Sequence, residues 1–433
     1  MKFVAAMNLL LVSAHLHDPG GPHHGQRRHV RVRDGVIVEI FEGELLTEAP
    51  GERRISAPDL HVSAGWLDLN CVIGEPGHEA RETFETAARA AGRGGFTDVL
   101  LHPDTPPFAQ TRAAVAYVPQ RSTGLAVRFH PVAPATVDAA GADLTEMHDL
   151  RAGGAVAFGD GPAHPLQRAE TLVRALQYAA PLGAVIFNRA EHRGLSEGGQ
   201  VHESPTSVRL GLRGLPALAE DVQLARDLRL LEYAGGRLHI QSVSTAGAVA
   251  LLREAKARGL AVTADVAAHQ LAFLAEELPA FDTCFKVRPP FRDPADRTAL
   301  LEGLADGTLD AATSAHQPHD PEAKELEFDL AEFGAIGLET AFAALLTHAN
   351  DLDLDTLLLK LTQGPRAVLG WPTPRLAVGQ PARLTCFDPS VEWTPTSANT
   401  ASRARNSPFY GHLLRGRVVG IITETGFTAA WPD

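Results

Sequence analysis

The chain has 433 residues, of which 45% are hydrophobic and 21% charged, so it is long enough for a large domain plus a smaller one. Its formal net charge of −13 argues against nonspecific binding to nucleic acid or to an anionic membrane surface. No apolar run reaches the roughly eighteen residues that would predict a membrane span.

The three cysteines, Cys71, Cys284 and Cys386, are far apart in the sequence and odd in number. They predict neither a disulfide framework nor a zinc ribbon, and they fit a reducing compartment. We therefore expect a cytoplasmic protein.

Both ends of the chain show strand patterns. Met1–Val12 is apolar but short and favours a first β-strand over a signal peptide. His29–Ile40 alternates around Asp34-Gly35, which predicts a hairpin. Ala382–Asp388 and Leu414–Ile422 resemble strands again. We predict a composite β-sandwich domain formed by residues 1–62 and 375–433.

In the central part, short apolar runs alternate with helical stretches, which predicts a parallel sheet with crossover helices. About eight such units in residues 63–374 fit an α/β protein with a TIM-like (β/α)8 barrel. An open doubly wound sheet is the alternative, but no glycine-rich nucleotide fingerprint follows a first strand. The predicted strands are Thr97–Leu101, Val127–Val132, Ala155–Phe158, Ala184–Phe187, Leu238–Val243, Ala261–Ala264 and Ala311–Ser314, and the predicted helices include Gln110–Gln120, Gln167–Ala179 and Gly247–Arg258.

A series of short motifs runs through nearly the whole chain. In order, they include Gly65-Trp66-Leu67-Asp68, Glu75-Pro76-Gly77, Gly94-Gly95-Phe96-Thr97, Asp160-Gly161, Val243-Ser244-Thr245, Pro318-His319 and Asn406-Ser407-Pro408-Phe409. Each is weak alone, but their order and spacing resemble the dihydroorotases and related cyclic amidohydrolases of the amidohydrolase superfamily. The resemblance implies the barrel fold and hydrolysis of a cyclic amide by metal-bound hydroxide.

The resemblance also implies six metal-ligand positions at the carboxyl ends of the barrel strands. In this chain, five of them hold residues that do not make a zinc site, and only Asp160 keeps a ligand. The six positions are Asn70 and Val72, where the family has two histidines, then Asp160, Arg189, Ser242 and Ala315. Ala315 also replaces the family's general acid/base. No catalytic residue is assigned and no metal cofactor is predicted; the chain resembles metal-free dihydroorotase-like proteins.

The positions that contact substrate in the family have also changed. Gly74 stands for the arginine that grips the substrate carboxylate, and Asp104 and Arg288 stand for asparagines. Lys286 and His319 are retained. The substrate-binding prediction is therefore Asp104, Lys286, Arg288 and His319.

Two alternatives concern the emptied centre. Histidines near the strand ends could form a relocated zinc site, for which the relevant residues are His102, His130, His192, His316 and His319. Arg189 could instead replace the cation and pair with Asp160, or it could extend its charged end into solvent.

Three functions are compatible with these residues. The first is a noncatalytic, structural or regulatory dihydroorotase-like subunit of pyrimidine biosynthesis that binds aspartate carbamoyltransferase. The second is an active dihydroorotase or related cyclic amidohydrolase with an unconventional zinc site. The third is a small-molecule binding module in which Arg189, Arg288 and Lys286 contact an anion. We expect a homodimer and no nucleic-acid or membrane partner.

Overall fold

The computed structural model describes residues 8–43, 51–278 and 281–431. The predicted first strand is described from Asn8, and Met1–Met7 lie outside these ranges. The strands are β1 (Asn8–His17), β2 (Arg27–Arg33), β3 (Val36–Phe41), β4 (Arg53–Ile55), β5 (His61–Ala64), β6 (Trp66–Cys71), β7 (Phe96–Leu101), β8 (Arg128–Ala133), β9 (Ala157–Phe158), β10 (Ile186–Arg189), β11 (Val201–His202), β12 (Gly214–Leu215), β13 (Leu238–Gln241), β14 (Val262–Ala267), β15 (Ala311–Thr313), β16 (Leu384–Trp393), β17 (Leu414–Thr423) and β18 (Gly426–Ala429).

Helices connect and surround these strands. They are α1 (Phe84–Arg93), α2 (Arg112–Arg121), α3 (Met147–Ala152), α4 (Ala169–Ala179), α5 (Arg193–Ser196), α6 (Pro205–Leu210), α7 (Leu218–Ala234), α8 (Ala246–Ala257), α9 (Ala268–Ala272), α10 (Pro294–Asp306), α11 (Pro321–Lys324), α12 (Ala341–His348), α13 (Leu354–Leu361) and α14 (Gln363–Leu369), with 3-10 turns at Val137–Ala139, Ala180–Leu182, Ala275–Glu277, Thr283–Phe285 and Ser397–Asn399. Within the described residues, none of these helices is both long and apolar enough to cross a bilayer.

The predicted parallel barrel is confirmed. Strands β6 to β10 and β13 to β15 form one eight-stranded parallel sheet whose spatial order follows the chain. A parallel bridge between Cys71 and His316 brings the last strand back to the first. Two backbone hydrogen bonds support this closure, from His316 to the Asn70 carbonyl at 3.2 Å and from Val72 to the His316 carbonyl at 3.0 Å.

Strands from both ends of the chain form a second, mixed eight-stranded sheet. Its order is β18-β17-β16-β5-β1-β2-β3, with β4 paired to β1. Strand β16 joins the two ends of the chain because it pairs antiparallel with both β5 and β17. The domain division at residues 62/63 and 374/375 stays a prediction.

Local sequence explains several element boundaries. The Asp34-Gly35 turn joins β2 to β3 with φ of 47° and 76°, the left-handed conformation that such a hairpin turn needs. Thr111 and Thr245 cap α2 and α8, because their side chains accept hydrogen bonds from the backbone of Ala114 and Ala248. The predicted and observed helices therefore agree to within a few residues.

Buried apolar residues form three clusters in the described residues, and the largest one also includes Phe387 of β16 and Ile421 of β17. Between the barrel strands and their helices, Trp66, Phe84, Phe96, Phe129 and Phe158 are buried in one continuous cluster. A second cluster fills the terminal sheet, and it includes Leu11, Leu16, Val32, Val62, Leu384 and Ile422. Cys71, Cys284 and Cys386 are free thiols. The barrel thus forms a rigid frame whose strand ends position the candidate site.

Candidate functional site

The six family ligand positions lie together at the carboxyl end of the barrel. Asn70 and Arg189 belong to the last residues of β6 and β10, whereas Val72 and Ser242 directly follow β6 and β13. Asp160 and Ala315 come two residues after β9 and β15. The fold therefore places these residues where active sites of barrel enzymes are found, and each side chain decides what chemistry remains there.

Two of the changed positions bind each other. The Asn70 amide Nδ2 donates a 2.8 Å hydrogen bond to Ser242 Oγ, and both residues are buried. The Ser242 backbone donates to Asp265 at 2.8 Å, which fixes the hydroxyl beside the amide. An amide and a hydroxyl satisfy each other as neutral groups, and neither replaces an imidazole as a zinc ligand.

Val72 and Ala315 supply no polar side-chain atom to the barrel mouth. Val72 is buried and contributes only its backbone to barrel closure. Ala315 and Ser242 have φ values of 46° and 51°, although residues other than glycine, asparagine and aspartate rarely adopt this conformation. Both residues follow barrel strands, so the loops after β13 and β15 begin with an unusual backbone conformation.

Asp160 is held by Thr136. Its two carboxylate oxygens accept hydrogen bonds from the Thr136 backbone, at 2.8 Å, and from the Thr136 hydroxyl. Burial raises the pKa of Asp160, and these hydrogen bonds oppose the rise. The carboxylate thus secures the loop after β8, and both of its oxygens already have partners.

Arg189 pairs with Glu191, so the predicted Arg189–Asp160 ion pair is wrong. Arg189 Nη1 lies 2.6 Å from Glu191 Oε2. Glu191 lies two residues beyond the end of β10, close enough in the chain for its carboxylate to reach the Arg189 guanidinium. Arg189 is only 4% exposed, so the alternative of a solvated charged end is also wrong.

Glu191 is shared by a second arginine. Arg288 Nε donates to Glu191 Oε2 at 2.9 Å, and Arg288 Nη2 donates to the other oxygen. The Ser196 hydroxyl adds a 2.6 Å bond to Oε1. Burial alone would raise the pKa of Glu191, but the charges of Arg189 and Arg288 outweigh it and lower the pKa to about 2. We call Arg189, Glu191 and Arg288 the mouth triad.

The mouth triad lines a cavity of about 530 Å³. Of the predicted site residues, Arg189 and Arg288 line it. Its walls carry arginine and glutamate side chains in equal number, and Phe333 and Gln317 also line it. The charged residues are Arg189, Arg193, Arg288, Glu191, Glu197 and Glu332. The cavity is therefore polar but has no marked excess of positive charge.

The other predicted substrate contacts do not meet in this cavity. Lys286 is 1% exposed, and its ammonium donates to the backbone carbonyls of Phe328 at 2.6 Å and Asp329 at 3.1 Å. His319 lines a separate cavity of about 400 Å³ beside Lys324. Burial lowers the pKa of His319 to about 4 and raises that of Asp104 to about 7.

The donor set at the six positions does not fit a zinc ion. Zinc takes imidazole, thiolate or carboxylate ligands, and only Asp160 offers one. Within residues 8–43, 51–278 and 281–431, no group of three ligating side chains contains His102, His130, His192, His316 or His319. The described residues therefore do not support a relocated zinc site at the barrel mouth. The six positions therefore support no metal-dependent step.

Glu191 is the residue that sequence reasoning missed. The segment Asn188-Arg189-Ala190-Glu191-His192 places a carboxylate two positions after the arginine. This short separation between opposite charges was a usable signal, although Glu191 lies just beyond the end of β10. The sequence did not indicate that Arg288 also binds Glu191, because the two residues are 97 positions apart in the chain.

Comparison with known proteins places the chain among relatives of similar length. Residues 61–248 match the family model described as dihydro-orotase-like. The dihydroorotase of Pelotomaculum thermopropionicum is 44% identical over 394 residues, which cover 90% of this chain and 91% of that protein. The dihydroorotase of Anaeromyxobacter dehalogenans strain 2CP-C is 41% identical over 422 residues, covering 94% and 96%.

Among solved structures, the L-hydantoinase (dihydropyrimidinase) of Arthrobacter aurescens superposes with a TM-score of 0.83 at 24% identity and covers 97% of each chain. A D-hydantoinase (dihydropyrimidinase) from Thermus sp. gives a TM-score of 0.76 at 20% identity, over 97% of this chain and 95% of that chain. These two similarities describe the fold.

Proposed function

The chain belongs to the dihydroorotase family, and we propose that it acts in pyrimidine biosynthesis as a noncatalytic dihydroorotase-like subunit. The family membership rests on relatives that are 44% and 41% identical over at least nine-tenths of the chain. The noncatalytic role rests on the residues at the barrel mouth.

The mouth triad is the observation that carries this proposal. Cyclic amide hydrolysis at neutral pH needs a strong nucleophile, which a bound metal ion supplies by lowering the pKa of water. Arg189 places a buried positive charge at a ligand position, where it repels a divalent cation. Glu191 is already committed to two arginines, so it is not free to offset that repulsion.

We propose aspartate carbamoyltransferase as the partner, with the chain acting as a cytoplasmic homodimer. The family resemblance supports this choice, because metal-free members hold that enzyme in an assembly. The role would use the outer surface of the molecule, so it needs an intact fold but no turnover.

The test is complex formation between purified proteins. The chain and the aspartate carbamoyltransferase of the same organism are mixed at micromolar concentration and separated by size exclusion with light scattering. We expect one species heavier than either protein alone. An unrelated acidic protein of similar mass is the control and should elute unchanged. Two peaks at the positions of the separate proteins would contradict the partnership.

The names of the relatives favour a second candidate, a working dihydroorotase or related cyclic amidohydrolase. This candidate requires an unconventional metal site, and zinc would then be its cofactor. Turnover of dihydroorotate separates a working dihydroorotase from the first candidate, because a structural subunit does not convert it under any metal supply.

A further inference from the structure

Histidines gather on one face of the terminal sheet, away from the barrel mouth. His15 on β1 lies opposite His61 on β5 in parallel register, and His17 follows on the same face of β1. The ring centroids are 4.7 Å apart for His15 and His61 and 5.0 Å for His17 and His61. Neither the proposed role nor the family chemistry uses these residues.

Two of these rings lie in a row between two carboxylates. Asp59 Oδ2 is 3.3 Å from His61 Nε2. His61 Nδ1 is 2.7 Å from His17 Nε2, and His17 Nδ1 is 2.6 Å from Asp355 Oδ1. Each of these three contacts joins two atoms that repel each other unless a hydrogen or a cation lies between them.

These three contacts need one more hydrogen or cation than two neutral rings supply. A neutral imidazole carries one ring hydrogen, so two rings supply two hydrogens for three contacts. The two short contacts use both of them when His17 Nδ1–H donates to Asp355 and His61 Nδ1–H donates to His17 Nε2. The lone pair of His61 Nε2 then faces the Asp59 carboxylate with no hydrogen between them.

A third ligand atom converges on the same place. His15, Asp59 and His61 each offer one donor atom, and these atoms lie within 4.8 Å of one another. A proton would join only two of them, whereas a transition metal joins all three. Two imidazoles and one carboxylate form a donor set that zinc accepts with an open fourth position.

The guanidinium of Arg27 now bridges two of these donors. Arg27 Nε donates to His15 Nε2 at 2.7 Å, and Nη2 donates to Asp59 Oδ1 at 2.6 Å. Arg27 is 45% exposed, so it can swing into solvent, and exposed ion pairs of this kind contribute little stability. Arg27 is thus a competitor for the site and not a permanent part of it.

We propose that His15, Asp59 and His61 form a binding site for a divalent transition metal such as Zn²⁺. Arg27 leaves the site when the metal enters. His17 and Asp355 hold His61 in the tautomer that presents Nε2, as a carboxylate or other acceptor commonly does behind a metal-binding histidine. The site lies in the terminal sheet and does not depend on the function proposed for the barrel.

Calorimetric titration of chelator-treated, metal-free protein with Zn²⁺ tests the site. We expect one saturable site in the parent protein. His61→Gln and His15→Gln each remove a ligand and should abolish it, and Asp355→Asn should weaken it about tenfold through His17. Arg27→Gln removes the competitor and should tighten binding. His148→Gln deletes an exposed histidine on α3 and is the matched control, with unchanged affinity.

Melting temperatures without zinc show whether each variant is folded. If His61→Gln does not fold, His15→Gln carries the test, because His15 is only partly buried. Zinc bound in the barrel would still bind to His61→Gln and His15→Gln. These two variants therefore distinguish a barrel site from the site proposed in the terminal sheet. Equal binding by the parent and His15→Gln, an absence of saturable binding in the parent, or weaker binding by Arg27→Gln would each overturn the proposal.

Discussion

At the scale of single residues, buried polar side chains at the barrel mouth bind one another. Asn70 binds Ser242, and Arg189 binds Glu191. Each new contact satisfies polar groups that would otherwise be buried without partners. In the noncatalytic role that we propose, these contacts keep the fold intact without a bound metal.

The mouth triad leads to a stability prediction. Glu191→Gln keeps the side-chain shape but leaves Arg189 and Arg288 without a counter-charge. Arg189 is 4% exposed, so it cannot recover its hydration. We expect a loss of about 3 kcal/mol in the free energy of unfolding, measured by urea denaturation, because breaking a buried pair leaves an uncompensated charge.

The exposed residue Glu197 provides the control for this prediction, because it lines the same cavity outside the triad. Glu197→Gln should change the unfolding free energy by no more than about 0.5 kcal/mol. Equal stabilities of the two variants would show that Glu191 does not hold the arginines.

Asp104 predicts a dependence of stability on pH. Burial raises its pKa from 3.8 to about 7, although the charge of Arg81 opposes the rise. The folded protein therefore binds this proton more tightly than the unfolded chain. The resulting stability is complete below about pH 4 and is lost as the pH rises through 7.

Asp104→Asn removes this titration and installs the residue that the family has at this position. The variant should melt with the parent near pH 4 and above it at pH 8, as measured by thermal denaturation at both pH values. Asp149→Asn, on the exposed side of α3, should show no such divergence. A variant that gains equally at both pH values would contradict the assigned pKa.

The sequence predicted the six ligand positions from the motifs that flank them, and this assignment stays a prediction. It did not reveal their new partners. Lys286 illustrates the limit: its place in the motif indicated an anion contact, but its ammonium is bound by backbone carbonyls of residues 328 and 329. Such a contact depends on how a distant loop folds back, which no local pattern records.

At the scale of secondary-structure elements, turn and cap residues made the boundaries predictable. The Asp34-Gly35 pair located the first hairpin, and threonine caps begin α2 and α8 where the helical pattern starts. Strand β10 was placed at Ala184–Phe187 but runs from Ile186 to Arg189. The carboxyl end of β10 is polar because it lies at the barrel mouth. The apolar run in the sequence therefore stops before the strand ends.

Helix α13 provides an element-scale prediction. Asp353 caps it by accepting a 2.7 Å hydrogen bond from the Thr356 backbone. Asp353→Ala should cost about 1 kcal/mol of unfolding free energy, since it leaves a helix N–H without that partner. Asp351→Ala, two residues earlier and exposed, is the control in the same denaturation experiment and should be nearly neutral. Equal losses would show that the cap is not responsible.

At the scale of the whole molecule, the alternation of strands and helices was enough to predict the barrel, because each βαβ unit is a local pattern. The terminal sheet was harder. Strand patterns at both ends indicated one β-rich unit, but the pairing of β16 with β5 joins residues 384–387 to residues 61–64. Pairing over that distance is set by the completed fold.

The central claim is that this barrel does not convert dihydroorotate. The most direct test is conversion of dihydroorotate, in both directions, by purified protein before and after incubation with Zn²⁺. The dihydroorotase of Pelotomaculum thermopropionicum, prepared in parallel, shows that the assay works. We predict no conversion above buffer at any zinc concentration. Conversion that a chelator removes and zinc restores would contradict the account.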